Sequence, residues 1–179
     1  MTKALISIVF FMLSANAWVS SALAQKELVK PRLSVVIRSA KSSYSIRENI
    51  DFEIRLENVG QESLLVCRWL GWAPGRTELR VLDSHGKDVY TNFLADEVPP
   101  PLRDNDFIEL KPDKFFRVRL GESATDFVNT PGSYVVFVKY RSPASEEWSR
   151  QYLHLPHLPL WSREQGPVIS NRIRVEITK

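Results

Sequence analysis

The chain has 179 residues, 24 Lys+Arg against 21 Asp+Glu, a formal net charge of +3 and 44% hydrophobic residues. This is enough apolar material for one domain with a real core. Basic and acidic residues alternate along the same stretches with no basic stripe, which argues against a nucleic-acid partner, and a single cysteine excludes an internal disulfide framework.

Met1-Thr2-Lys3 leads into an apolar run, Ala4 to Leu13, and then to Ala22-Leu23-Ala24. A short basic start, an apolar stretch and an Ala-x-Ala site make a secretory signal peptide, cleaved after Ala24. The run is too short to cross a bilayer, and Ser14 and Asn16 interrupt it. The expectation is a signal peptide over 1–24 and one exported domain over 25–179, periplasmic or extracellular. With no cysteine at the cleavage site, no lipid anchor is expected.

Strand signals follow in order. Leu33, Val35 and Ile37 share one face of Arg32–Arg38, and Ser42-Ser43 breaks that strand before a brief Tyr44–Ile46 pairing. Ile50, Phe52, Ile54 and Leu56 alternate with Asp51, Glu53, Arg55 and Glu57, a period of two that predicts one core face and one wet face. Asn58–Gln61 turns the chain into the apolar Leu64–Trp69 strand, where Cys67 reads as a buried thiol. Leu70–Gly75 reads as a loop. Thr77–Leu82 and Val89–Phe93 flank a turn at Gly86 and predict a hairpin. Pro99-Pro100-Pro101 stiffens the connection from Leu94 to Asp106. Phe107–Leu110 and Phe115–Leu120 flank the Lys111-Pro112-Asp113-Lys114 reversal.

Pro131-Gly132-Ser133 opens the longest apolar strand, Tyr134–Tyr140, with Tyr134, Val136, Val138 and Tyr140 on one face. It predicts a strand in the middle of a sheet. Ser142–Ser170 shows weak periodicity and several prolines, and Ile173, Val175 and Ile177 mark the closing strand. No helix is predicted after Ala24. The expected fold is all-β, an antiparallel immunoglobulin-like β-sandwich of about eight strands.

Tyr134, two residues after Gly132 and entering a penultimate long strand, resembles the tyrosine corner of immunoglobulin-like domains, and Trp69 is similar to their middle-strand tryptophan. The two bridging cysteines of antibody domains are absent. Tyr44–Gly60, with the Leu110-Lys111-Pro112 and Pro131–Tyr134 turns, also resembles macroglobulin-type domains and the bacterial intracellular proteinase inhibitor family. The second likeness suggests, as the alternative function, a proteinase inhibitor presenting the Pro-rich loop 97–103; a protruding loop ending at Arg103 with its backbone unpaired would favour it.

The sequence holds no Gly-x-Ser-x-Gly, phosphate loop or His-Glu-x-x-His, and only three histidines. An enzyme is not expected, nor a cofactor. His154-Leu155-Pro156-His157-Leu158-Pro159 states one triplet twice, so a three-residue turn would align His154 with His157. That is half a zinc site, or else a solvated edge on an extended segment. Asp104-Asn105-Asp106 offers hard oxygens for calcium, or forms a solvated acidic turn. Trp72, Trp148 and Trp161 lie in irregular stretches, where they either plug the ends of the sandwich or form a contact surface. Trp72, Trp148, His154, His157 and Trp161 are therefore the candidate interaction surface of an exported, non-enzymatic binding module. Its expected partner is a protein, with no nucleic acid and no membrane anchor.

Overall fold

The computed structural model describes residues 32–70, 77–90, 101–154 and 158–179. The signal-peptide reading of 1–24 lies outside them. Among the described residues no helix is long and apolar enough to cross a membrane.

The strands are β1 (Leu33–Ser39), β2 (Ser43–Ser45), β3 (Asn49–Asn58), β4 (Leu64–Cys67), β5 (Thr77–Leu82), β6 (Phe107–Leu110), β7 (Phe115–Ser123), β8 (Gly132–Tyr140), β9 (Val168–Ile169) and β10 (Ile173–Thr178). One sheet has the order β1-β3-β7, and the facing sheet β2-β10-β8-β5 with β9 beside β8. Strands one, three and seven on one layer and β8, the last long strand but one, central in the other is the immunoglobulin-like arrangement. All pairs are antiparallel except β2 with β10, which run parallel.

The core follows from the alternation. Phe52, Ile54 and Leu56 of β3 meet Val136, Val138 and Tyr140 of β8, all with no exposed surface. β8 sits between β10 and β5, as its apolar pattern predicts. Its inward residues are buried, while Val135 and Phe137 on the outer face are half-covered. The corner is present: Tyr134 Oη donates to the Thr130 carbonyl at 2.7 Å. Asn171 ties the two sheets together, its amide donating to the Ile37 carbonyl (3.0 Å) and accepting the Ile37 N–H (2.9 Å). Those are the two bonds a neighbouring strand would make, so this stretch of the β1 edge is closed to strand addition.

Several elements differ from expectation. Ser142–Ser170 contains α2 (Glu146–Tyr152), and α1 (Ala124–Phe127) precedes the corner, so the expected absence of helix is corrected. The arm after Gly86 returns through two backbone bonds, Asp83 N–H to the Lys87 carbonyl at 2.9 Å and Val89 N–H to the Val81 carbonyl at 2.8 Å, and an isolated bridge at Leu82 and Asp88. Its expected continuation to Phe93 lies outside the described residues. β6 and β7 do not pair with each other across their turn. β6 pairs with β4 and β7 with β3, so the Lys111–Lys114 turn carries the chain from one ladder to the next.

Candidate interaction surface

α2 forms where a cap and a charge gradient coincide. Ser145 stands in extended conformation and its hydroxyl accepts the Trp148 N–H at 3.0 Å. Glu146 and Glu147 occupy the first turn and Arg150 the last, the order that suits the helix dipole. One turn apart, Trp148 and Tyr152 share a face. Their rings lie 5.8 Å apart, and Trp148 stacks at 6.4 Å on Phe107 of β6.

The three rings run from core to solvent. Phe107 is buried beside Cys67 and Ala144, in a second apolar cluster that Trp69, Leu102, Leu153 and Leu160 half cover. Trp148 is half-buried and Tyr152 is 56% exposed. Beneath them Asp106 holds the end of β4 in place. Its carboxylate accepts the Trp69 indole N–H (2.7 Å) and the Arg103 N–H (2.8 Å), and its carbonyl accepts the Arg68 N–H (2.8 Å). The solvated-turn reading of Asp104-Asn105-Asp106 is corrected for Asp106, whose carboxylate is buried and already occupied by these donors. The Arg103 N–H is likewise bonded, so Arg103 does not show the unpaired backbone that would favour an inhibitor; 97–100 lie outside the described residues.

The five candidates do not assemble. Trp161 is only 8% exposed and belongs to the main core. The cause is a strap beside β4: Leu65 N–H donates to the Pro159 carbonyl and Trp161 N–H to the Leu65 carbonyl, both at 2.8 Å, which turns the indole inward. Trp161 is therefore a plug and leaves the candidate surface. Trp148 remains at the surface edge and His154 is exposed. Trp72 and His157 lie outside the described residues. Tyr152 was missed by the sequence reading, and the signal for it was Ser145 followed by two acids and then Arg150, a short helix start carrying Trp148. Among the described residues no group of three or more His, Cys, Asp or Glu side chains could hold a metal ion.

No family model matches the chain, and no curated protein matches it. Among solved structures it resembles the CARDB domain of a Pyrococcus furiosus protein, seen in a crystal with di-metal ions and in solution. Identities are 14% and 13%, coverage is 82% and 84% of this chain and 93% and 97% of the domain, and TM-scores are 0.38 and 0.39. It also resembles part of a β-glucosidase from Erythrobacter marinus at 11% identity, over 83% of this chain but 16% of the enzyme, with a TM-score of 0.40. Scores this low decide nothing about function, and the fold assignment rests on the strand order.

Proposed function

We propose that the chain is an exported, non-enzymatic protein-interaction module that meets its partner through the Trp148–Tyr152 ridge of α2. The observation that carries this reading is Tyr152, more than half exposed yet packed at a tilt against Trp148, a ring that is itself stacked on buried Phe107. An aromatic side chain held by its neighbours contributes contact area with little rotamer entropy left to lose. Aromatic anchors of this kind are enriched among residues that dominate binding energy. Export is supported by the Lys3, Ala4–Leu13 and Ala22-Leu23-Ala24 pattern.

The test compares the tagged full-length protein with Tyr152→Arg, expressed in its own cells and recovered with cross-linked partners. The variant should keep its circular dichroism and melting temperature and lose at least about tenfold in partner affinity, roughly 1.4 kcal/mol. Equal recovery of the same partner by both proteins contradicts the reading.

A further inference from the structure

The outer face of the β1-β3-β7 sheet carries a second feature, separate from α2. Two neighbouring rows across the strands read Arg38–Glu53–Arg119 and Val36–Arg55–Arg117. They put four guanidinium groups around one carboxylate. Glu53 is bonded by Arg55 at 2.6 Å, while Arg117 and Arg119 stand at 3.7 and 3.9 Å and are 57% and 78% exposed. Among the described residues Arg38 has no recorded ion pair. Arg55 and Arg117 face each other directly, and like charges so placed destabilise a sheet. Asp51 and Glu57 flank the two rows and temper the field without entering them.

Arginines on a border strand discourage unwanted strand pairing. That accounts for Arg117 and Arg119 on β7 but not for Arg55 on the central strand opposite one of them. Local rules are broken in this way chiefly where a site needs it. The rows border a cleft of about 510 Å³ lined by Arg38, Asp51, Glu53, Arg55 and Arg119 among others. One row further, Phe115 is 47% exposed with the Arg55 guanidinium 4.8 Å from its ring centre. A basic patch continuous with an exposed aromatic does not suit a uniformly anionic polymer. It suits a chain that carries both kinds of group.

We propose that this face binds an acidic, extended polypeptide segment of a partner protein, its carboxylates on Arg38, Arg117 and Arg119 and an apolar side chain on Phe115. Phe115 and Arg119 are four residues apart on β7, roughly 13 Å at strand rise. The matching segment has acidic residues about two and four positions from its apolar one, opposite Arg117 and Arg119.

The probe is a ten-residue fluorescein-labelled peptide with one leucine and glutamates two and four positions from it, titrated with the full chain and followed by anisotropy. Binding should weaken with salt. It should fall at least about tenfold in Arg117→Glu/Arg119→Glu, and in the milder Arg119→Gln should fall measurably at unchanged melting temperature. The Arg172→Glu/Arg174→Glu pair, the same charge change on the facing sheet, should leave it intact. Replacing the leucine by serine should weaken binding to the wild type but not to Phe115→Ser. Absence of binding, equal losses in the two double variants, or tighter binding of a heparin fragment than of the peptide would each overturn the proposal.

Discussion

The side-chain amide of Asn58 donates to the carbonyl of Leu110 at 2.7 Å, across 52 residues of chain. The same amide donates to the Glu62 carbonyl (2.8 Å), and its oxygen accepts the Gly60 N–H (2.9 Å). Backbone bonds to Lys114 and Asp113 complete the set. Asn58 ends β3 and is 1% exposed. It stands where the β3–β7 ladder stops and the β4–β6 ladder begins, and it satisfies the backbone groups of both turns there. Asp113, at φ 59, is held in its left-handed conformation by its bond to the Asn58 carbonyl.

Asn58→Ala should therefore cost about 2 kcal/mol or more, since a buried acceptor loses its donor. Urea unfolding measures it. A loss under about 0.5 kcal/mol, the size of an ordinary surface substitution, would mean the two ladders hold together without this residue.

Tyr134→Phe should cost about 1 kcal/mol by removing the bond to the Thr130 carbonyl. Gly132 lies against the Tyr134 ring at ordinary contact distance (3.4–3.5 Å for an added Cβ), so Gly132→Ala should cost less than Tyr134→Phe. An unmoved melting temperature in Tyr134→Phe would remove the corner from the account of stability.

Much of this was legible in the sequence because its signal was local. Alternation marked β1, β3, β8 and β10, and Gly132 with Tyr134 marked the corner. Gly86, read as the turn residue of its hairpin, has the positive φ that such a turn needs. What could not be read depended on distant partners. Trp161 looked like a loop aromatic until the Leu65 bonds turned it inward. Asp106 looked like a wet acid until Trp69 and Arg103 were seen to use it. α2 is seven residues long, too short for a 3.6-residue period to show through the prolines that follow.

Tyr140 is buried, and its hydroxyl donates to the Cys67 carbonyl at 3.0 Å. Burial pushes the phenol well above its ordinary value. In the unfolded chain the phenol ionises near pH ~10, so the stability it contributes is present below that and lost as pH rises beyond it. Wild type should lose stability faster than Tyr140→Phe between about pH 9.5 and 11. Parallel curves would show that Tyr140 ionises as freely folded as unfolded.

Glu53 titrates in the opposite sense. The hydrogen bond from Arg55, then the charges of Arg55, Arg117 and Arg119, hold its carboxyl below the usual range. Its contribution is present above the unfolded value near pH ~4.3 and lost as pH falls through the lower folded value. The stability difference between wild type and Glu53→Gln should shrink through that acid window. A difference constant with pH would mean the arginines do not act on Glu53 through its charge.

The most direct test of the central claim is site-specific photo-cross-linking in cells that make the protein, with the reactive residue at position 152 or, as control, at Ile169, which is 59% exposed on β9. The account predicts one discrete protein adduct from position 152 that is absent from 169. Identical adducts from both positions, or an adduct from 169 alone, would contradict it.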